Sequence, residues 1–461
     1  METTGMNGHK GPLKVAIVGG GVCGLAAAIG LIRAGLDVDI YESATKLGEI
    51  GAGVGLGPNA VRVLKELNIL EEVVESILPE KPAPRLFRFL FGTGDQEVIY
   101  DYPVGPEDDG LGIHRVTFIE ALIHLVDPSK IHCKKRCIGV RALPSGRMQV
   151  IFSDGTSAEA DVVVGADGVR SIVRTYVLEG ETTSSEGVTN GSANGNPDVG
   201  GTGGDLKSPP TSKILRVKFT NNTAYRGLVP VEKLKSVGVK IDLSDRLYCF
   251  VGDCKHVLTF PIKGGTVINV VAFSYDSSVP WDGKPLPPGT PWVTPRSTEE
   301  LLATYEGWSE DVRLLLGCIS SPSVWSIHAI DPPLESFIRG RVALVGDSAH
   351  AMLPYLGAGA GQGLEDALVL VKLLTLPQTT VENVEEVLKA YDTVRRPRAN
   401  MVLARSTLVG LIYDCLGPSG ATKEGIRKDF EGKWDEVWFH DVLKDVDAAV
   451  VQLEEKGVFA K

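Results

Sequence analysis

The sequence predicts a two-domain α/β protein in which a parallel, nucleotide-type sheet is interrupted by a mainly antiparallel sheet and followed by a helical C-terminal region. Three observations predict this fold class. A strand-helix-strand pattern occupies residues 15–42, and apolar strand-like runs return at residues 161–165 and 341–346. Between those runs, residues 214–273 are rich in alternating β-forming side chains, which is typical of an antiparallel sheet. Nucleotide-type strands on both sides of such a block indicate a discontinuous domain.

The first strand-helix-strand unit can be followed residue by residue. Residues 15–18, VAIV, form a short apolar run that leads into glycines, as buried parallel strands do. Residues 22–34 then have helical character and end at Gly35, because glycine readily adopts the left-handed backbone that closes a helix. Residues 38–41 form the second strand, which ends at Glu42.

Composition restricts the classes of function. The 461 residues are enough for two or three domains, and 43% hydrophobic with 23% charged residues is ordinary globular composition. The net charge of −11 argues against a nucleic-acid partner, which requires clustered positive charge. No apolar run is long enough to span a membrane, and the first residues lack the apolar core of a signal peptide, so we expect a cytoplasmic protein. Seven scattered cysteines without a CxxC pair predict reduced thiols and no metal site.

The first motif lies between the first strand and the first helix. Gly19, Gly21 and Gly24 have the G-x-G-x-x-G spacing of Rossmann-like dinucleotide-binding domains. The first glycine permits a tight turn, the second lets the backbone approach a pyrophosphate, and the third lets helix and strand pack closely. Glu42, after the second strand, stands where a carboxylate accepts hydrogen bonds from ribose hydroxyls. Dinucleotide binding is therefore favoured over a structural glycine turn, although the motif does not distinguish FAD from NAD.

Two further motifs each end an apolar strand with an acid beside glycine: residues 161–171 contain Asp167, and residues 341–350 contain Asp347. Together with the glycine motif they resemble the fingerprints of the group A flavin-dependent aromatic hydroxylases, the para-hydroxybenzoate hydroxylase superfamily. The resemblance implies FAD as the cofactor, NADH or NADPH as the reductant and a Rossmann-like FAD-binding domain. It also implies that Asp347 binds the ribityl chain, and that Asp167 lies close to FAD and assists docking of the reductant.

Four shorter stretches narrow the resemblance to fungal salicylate-hydroxylase-like monooxygenases: residues 51–60, 114–115, 225–230 and 395–398. By family position, Gly55 and Arg115 would contact FAD, Arg115 through the phosphates. The segment 354–361 would run past the isoalloxazine ring, and its contributing residues are Pro354, Gly357, Gly359 and Ala360. Glycines there expose backbone N–H groups that can stabilise negative charge on a reduced flavin. For the arginines of 395–398 we expect a solvated helix end.

Arg226 is the candidate catalytic residue. It follows an aromatic residue and precedes a glycine inside the β-rich block, where a charged group needs a partner. The resemblance implies that it holds a phenolate or carboxylate of the substrate, and an interdomain salt bridge is the alternative. Some relatives place a substrate-binding tyrosine where this chain has Phe260, which removes one hydroxyl donor.

Three of the eight histidines are candidate site residues: His256, His328 and His350. His256 and His328 are expected to be core or surface histidines with satisfied hydrogen bonds. His350 belongs to the third motif, so we expect it to pack near the cofactor without acid–base work.

The positions of the motifs and of the β-rich block, together with a Gly-rich stretch at 180–212 that has no aromatic residue, predict the following segments. The FAD-binding domain comprises residues 12–80, 111–179 and 323–410; the substrate domain comprises 81–110 and 213–322; a flexible insertion occupies 180–212, and a helical segment occupies 411–461.

The function implied is FAD-dependent monooxygenation of a small aromatic substrate, a phenolic acid or an aromatic polyketide intermediate, with NAD(P)H and O2, through a flavin hydroperoxide. Attack at a carboxyl-bearing carbon would also release carbon dioxide. Epoxidation or indole oxidation on the same scaffold is one alternative. A non-catalytic nucleotide-fold binding protein is another, and Glu42, Asp347 and the glycines after residue 356 argue against it, because such a protein has no need for them. The oligomeric state cannot be predicted from these motifs.

Overall fold

The computed structural model describes residues 12–48, 53–77, 87–103, 110–180, 216–279, 286–287 and 289–460. Of the predicted flexible insertion, residues 181–212 lie outside the described residues.

Nineteen strands are described, numbered along the chain. They are β1 Lys14–Val18, β2 Asp37–Tyr41, β3 Gly53–Leu56, β4 Phe87–Phe91, β5 Val98–Asp101, β6 Leu111–His114, β7 Ile131–His132, β8 Cys137–Ala142, β9 Met148–Phe152, β10 Ser157–Ala160, β11 Val162–Gly165, β12 Val217–Pro230, β13 Leu247–Gly252, β14 Lys255–Ile262, β15 Val267–Tyr275, β16 Val293–Pro295, β17 Ser323–Ile330, β18 Ile338–Arg339 and β19 Val342–Leu344.

The helices of the described residues surround these strands. They are α1 Val22–Arg33, α2 Pro58–Glu66, α3 Leu70–Ile77, α4 Arg115–His124, α5 Val173–Glu179, α6 Val231–Val237, α7 Thr298–Thr304, α8 Glu310–Gly317, α9 Asp347–His350, α10 Gly359–Leu374, α11 Val384–Tyr413, α12 Lys423–Phe430, α13 Asp435–Trp438 and α14 Val442–Glu455.

A six-stranded sheet forms the first layer, in the order β18-β19-β11-β1-β2-β7. Its central strand β1 runs parallel to both neighbours, so that Val15 is in register with Val38 and with Val162. All three valines are fully buried. Central strands of a parallel sheet are covered on both faces, which explains why they read as continuous apolar runs. The predicted strand-helix-strand unit and parallel sheet are confirmed.

An eight-stranded sheet forms the second layer, in the order β16-β17-β12-β15-β14-β13-β4-β5. It is antiparallel except where β13 runs parallel to β4. One face packs against α6, α7 and α8 through Tyr225, Phe250, Val270 and their neighbours. The other face, which carries Ala224 and Phe273, packs against the segment 353–358 and against α11. The second face therefore lies at the boundary between the two domains.

One predicted boundary is wrong. Residues 323–330 were assigned to the FAD-binding domain, but they form β17, which pairs along β12 from Val217↔Ile330 to Arg226↔Ser323. The antiparallel sheet therefore continues to Ile330. The alternating sequence of this segment, SVWSIHAI, has the period of a strand, and its proximity to the third motif obscured that signal.

A buried ionic network joins the helices behind the six-stranded sheet. Arg395 in α11 is fully buried and donates to Glu365 and Asp366 of α10, each at 2.9 Å. Arg398, one turn further along α11, donates to Glu365 at 3.3 Å. The expectation of a solvated helix end at residues 395–398 is therefore wrong for these two arginines. Two adjacent acids on an otherwise apolar helix create the charge that draws them inside.

The network also reaches the third motif. Asp366 accepts the backbone N–H of Gly346 at 2.9 Å, and its second partner on the same oxygen is His350 Nε2 at 2.5 Å. Burial would raise the pKa of Asp366, but His350 and Arg395 hold it below its usual value. Asp366 is therefore an anion that fixes the turn immediately before Asp347.

Helices α1 and α10 cross closely at a cysteine. A Cβ atom on Gly363 would lie 2.2 Å from Cys23 Sγ, and one on Gly346 would lie 2.9 Å from the same sulfur. The glycine motif and the third motif are thus packed against each other through Cys23. Burial raises the pKa of this thiol well above its usual value, with a further contribution from Asp347, so it packs as a neutral group.

The network leads to a stability prediction. Arg395→Met roughly preserves the length of the side chain but removes the cation that Glu365 and Asp366 share. We therefore expect the free energy of unfolding to fall by about 3–5 kcal/mol. Arg396→Met is the matched control, because Arg396 is one-third exposed and its ion pair is with Asp392, one turn earlier on the same helix. Urea and thermal unfolding of both variants measure the difference. Equal stability of the two would contradict the role given to Arg395.

The helix crossing leads to a second stability prediction. Gly363→Ala should destabilise the protein by about 1–3 kcal/mol, because the added carbon overlaps Cys23 Sγ in a packed interface. Gly317→Ala is the control, since nothing lies within 4 Å of a Cβ at that helical position. The midpoint of thermal unfolding should fall only for Gly363→Ala; an unchanged midpoint would show that the crossing relaxes freely.

Candidate active site

The three sequence motifs meet at the carboxyl ends of β1, β11 and β19. Gly19 has φ +112°, and a Cβ there would lie 2.3 Å from the carbonyl oxygen of Ala166 in the second motif. A Cβ on Gly24 would lie 2.1 Å from Gly19 O, so helix and loop can approach only with glycine. Gly21 precedes α1, and none of the described residues lies within 4 Å of a Cβ added to it. The loop therefore has an open side at the helix N-terminus, where free N–H groups favour an anion.

Glu42 ties the end of β2 to this loop. One carboxylate oxygen accepts the backbone N–H of Gly20 at 2.8 Å, and the other accepts from Ala44 N at 2.7 Å and Ser43 Oγ at 3.1 Å. The side chain is only half-buried. Its carboxylate is thus oriented beside the open side of the glycine loop.

Asp167 is engaged by its own turn. Its oxygens accept Ser171 Oγ at 2.5 Å and the backbone N–H groups of Ile172 and Val173 at 2.7 and 3.2 Å. Burial raises the pKa of Asp167, although these hydrogen bonds favour the charged form. The contacts show a carboxylate that shapes the start of α5; its predicted contact with FAD or the reductant stays a prediction.

Asp347 stands exposed at the start of α9, after Gly346 with φ +64°. A Cβ on Gly359, the first residue of α10, would lie 4.0 Å from Asp347 Oδ1. The carboxylate therefore lies at the N-terminus of a sixteen-residue helix whose first N–H groups have no side-chain cap.

The segment before α10 presents its backbone to the same place. Pro354 opens a short 3₁₀ turn that ends at Gly357, which is exposed, has φ +61° and has nothing within 4 Å of an added Cβ. Gly359 and Ala360 follow as the first residues of α10. The four residues predicted to run past the isoalloxazine ring thus share one loop beside Asp347.

Gly55 and Arg115 belong to the small two-stranded sheet and to the helix that follows it. Gly55 in β3 pairs with Gly112 in β6, and Arg115 follows β6 as the first residue of α4. Arg115 has no hydrogen bond or ion pair within the described residues. Its positive charge lowers the pKa of Arg226 and partly offsets the raised pKa of Cys23.

Arg226 is a cation without an acid. Its Nε is buried and has no hydrogen-bond partner, and its guanidinium carbon lies 4.7 Å from the ring centroid of Trp325. Burial, and then Arg115, lower the pKa of Arg226. No interdomain salt bridge to Arg226 is found in the described part of the chain, so the structural alternative lacks support. A buried cation beside a second cation favours binding of an anion.

The sheet face around Arg226 is apolar with few polar groups. Strand register and alternation place on it Leu258, Phe260, Asn269, Val271 and Trp325, with Met352 packed opposite. Phe260 lies against Gly53, where an added Cβ would meet its ring at 2.4 Å. Such a lining suits a flat aromatic molecule with one or two polar substituents.

The histidines occupy three different environments. His256 is fully buried and bonds Asp414 Oδ1 through Nδ1 at 2.8 Å, but its Nε2 has no partner, so it is a core histidine only half satisfied. His328 stacks on Trp292 at 3.6 Å between ring centroids, and burial lowers its pKa to about 4. His350 is fully buried beside Asp366, and its distance from a cofactor stays a prediction.

Sequence reasoning missed several residues that support the site. They are Glu365, Asp366, Asn269, Arg170 and Trp292. The guanidinium carbon of Arg170 lies 3.9 Å from the ring centroid of Trp292, and this stack connects the second motif to the residue just before β16 of the large sheet. An acidic pair inside the apolar sequence of α10 was an available signal. Neither the unpartnered amide of Asn269 nor the stack on Trp292 has a local sequence signature.

Within the described residues, no helix is long and apolar enough to cross a membrane, and no group of His, Cys, Asp or Glu side chains could hold a metal ion.

Comparison with known proteins agrees with this geometry. The family model described as an FAD binding domain matches residues 12–108 and 230–406. Salicylate hydroxylase from Pseudomonas putida is 36% identical over 460 residues, covering 97% of this chain and 96% of that protein. A 6-methylsalicylate 1-monooxygenase from Aspergillus terreus is 33% identical over 456 residues, covering 95% and 92%.

A solved structure supports the same relationship. The substrate complex of a salicylate hydroxylase superposes with a TM-score of 0.77 at 31% identity, covering 96% of this chain and 98% of that one. The predicted fold class, FAD cofactor and monooxygenase activity are confirmed. The chain belongs to the FAD-binding family of monooxygenases that hydroxylate aromatic substrates, the family of salicylate hydroxylase.

Proposed function

We propose that this monooxygenase hydroxylates a small phenolic acid, held as an anion by Arg226 at the boundary between the two layers. The observation that carries the proposal is the buried Nε of Arg226, which has no partner and faces no acid among the described residues. The related enzymes are named for salicylate and 6-methylsalicylate, which are phenolic acids.

The residues fit FAD on the following grounds. The open side of Gly21, at an uncapped helix N-terminus, suits a pyrophosphate, and Glu42 beside it suits ribose hydroxyls. Asp347, exposed at the start of α9, suits the ribityl hydroxyls. Arg115, which has no ion pair among the described residues, suits a phosphate.

The loop 354–360 would lie along the flavin ring. When bound, FAD reduced by NADH or NADPH activates O2 and supplies the oxygen atom for hydroxylation. The N-terminus of α10 directs uncapped N–H groups, including those of Gly359 and Ala360, toward this place and can stabilise negative charge there. Gly357 leaves the backbone accessible, since nothing lies within 4 Å of an added Cβ.

The substrate-binding face would ionise and orient the phenol and exclude water. A phenolate is far more nucleophilic than a phenol, and the nearby cation of Arg226 lowers the pKa of a bound phenol. Leu258, Val271 and Trp325 surround this position with apolar surface that excludes water. Arg226 therefore orients the ring and favours its ionised form. Attack at a carboxyl-bearing carbon would release carbon dioxide, and attack elsewhere would add a hydroxyl group.

The domain assignment follows from where these residues lie: the cofactor motifs are on the six-stranded sheet and Arg226 is on the eight-stranded sheet. We propose that the six-stranded sheet with its helices is the FAD-binding domain, and that the eight-stranded sheet is the substrate domain. A panel of phenolic acids, including salicylate and 6-methylsalicylate, tests the function when products are identified by mass spectrometry. Oxidation of NAD(P)H without any hydroxylated product across the panel would contradict the proposed substrate class.

Asp347→Ala should weaken FAD binding. Removing a charged acceptor costs about 1.5–3 kcal/mol for each hydrogen bond, which corresponds to about ten- to a hundredfold in affinity. Asp95→Ala is the control, because Asp95 is exposed in the turn between β4 and β5. Flavin content after purification and titration of the apoprotein measure the effect. Full flavin occupancy with unchanged affinity would refute the assignment.

Arg226→Met should retain FAD but reduce hydroxylation by tenfold or more, which corresponds to about 1.4 kcal/mol. Arg226→Lys retains the charge and should retain partial activity, although it loses the planar fork. Arg313→Met, on α8 against the opposite face of the sheet, is the control. The measurement is product formed per NAD(P)H oxidised, with hydrogen peroxide as the product of uncoupled turnover. Coupling at the level of the unaltered enzyme in Arg226→Met would make this arginine structural.

A further inference from the structure

A second side chain on the substrate-binding face has an unused donor. Asn269 in β15 is paired with Leu228 in β12, and Arg226 is paired with Val271, two residues further along β15. Residues paired across antiparallel strands share a face, as do residues two apart on one strand. Asn269 and Arg226 are therefore diagonal neighbours on the same face.

The orientation of the Asn269 side chain is fixed by one contact. Its Oδ1 accepts the backbone N–H of Gly53 at 3.3 Å, which connects β15 to the start of β3. The residue is only 3% exposed, and its Nδ2 is buried without a hydrogen-bond partner. Buried amide groups in native proteins are nearly always paired, so a fixed and unpartnered N–H donor calls for a ligand that accepts it.

The surroundings define that ligand. Three buried groups on this face have no partner among the described residues. His256 Nε2 lies beside Phe273 at one end. The two that flank Val271, Arg226 Nε and Asn269 Nδ2, are both donors, and Arg115 adds positive charge nearby. Leu258 and Phe260 of β14 lie on the other side of β15 and contribute apolar surface to the same face. A molecule that matches this face presents at least two acceptor oxygens, at least one of them anionic, on an apolar ring.

We propose that Asn269 is a second substrate-binding residue, which donates through Nδ2 to an oxygen of the aromatic acid whose anionic group is bound by Arg226. This inference rests on the proposed function and adds to it a requirement: the substrate carries two acceptor groups, one for each donor. An aromatic acid with a single oxygen-bearing substituent satisfies only one of the two.

Asn269→Asp tests the donor separately from the structural contact. Aspartate keeps an oxygen where Oδ1 accepts from Gly53 N, but it replaces the donor by an acceptor that repels an anion. We expect the dissociation constant for salicylate to rise at least tenfold, with flavin content unchanged. The readouts are the perturbation of flavin absorbance by salicylate and the ligand-induced shift in melting temperature. Asn400→Asp is the control, since the Nδ2 of this α11 residue already donates to Leu334 O.

The outcomes separate the two hypotheses. If the unaltered enzyme binds none of the phenolic acids in the panel, the proposed function fails. If it binds salicylate, and Asn269→Asp binds within twofold of the same affinity, the inference about Asn269 fails while the proposed function stands. If Asn269→Asp loses its flavin, salicylate is titrated into the neutral variant Asn269→Leu instead. A dissociation constant within twofold of that of the unaltered enzyme then overturns the inference, and a larger increase supports it.

Benzoate, which lacks the ring hydroxyl, provides the ligand-side comparison. The unaltered enzyme should bind salicylate more tightly than benzoate, and this preference should be smaller in the Asn269 variants. A preference that is the same in all of them would overturn the requirement for two acceptors.

Discussion

The structure depends on one buried cation, Arg395, held between two carboxylates. Arg395 joins α11 to Glu365 and Asp366 of α10, and Asp366 in turn holds the N–H of Gly346. A buried arginine and its acids require each other, because either charge alone in the interior is costly. The interaction therefore couples the packing of two long helices to the turn that presents Asp347. Stability and the geometry of the cofactor site share the same contacts.

The candidate site lies where two layers meet, each of which presents hydrogen-bond donors that no acceptor side chain of the described residues engages. The parallel layer contributes the N-termini of α1 and α10, whose backbone N–H groups are not capped by the side chain of the residue before the helix. The antiparallel layer contributes Arg226 Nε and Asn269 Nδ2, two buried donors without a partner among the described residues. Each layer leaves donors unused at the common boundary, and such donors are matched by anionic, acceptor-rich molecules. FAD on one side and the proposed aromatic acid on the other would both supply such acceptors.

Local patterns were sufficient for the parallel layer but not for the charges behind it. The spacing of glycines 19, 21 and 24 predicts the loop, and the structure shows a steric requirement at two of them: a Cβ at Gly24 would overlap Gly19 O, and one at Gly19 would overlap Ala166 O. Arg395 was assigned to solvent, because a helical run of arginines looks exposed when its acidic partners lie thirty residues earlier. The predicted domain of Ser323–Ile330 was wrong, because the sequence of a strand does not specify which other strand it pairs with.

The amino-acid sequence was sufficient to predict the fold class and the order of the three nucleotide-binding motifs, because these features depend on backbone conformation and short-range spacing, which glycines and alternating β-formers specify directly. Arg226 became a candidate through its place in the β-rich block and through the family resemblance. Three features could be seen only once the chain was folded. Within the described residues, Arg226 has no acid and Asn269 Nδ2 has no partner, and Asp366 holds the turn at Gly346. Whether a buried polar group is paired depends on groups distant in sequence, and these meet only when the two sheets and α10 pack together.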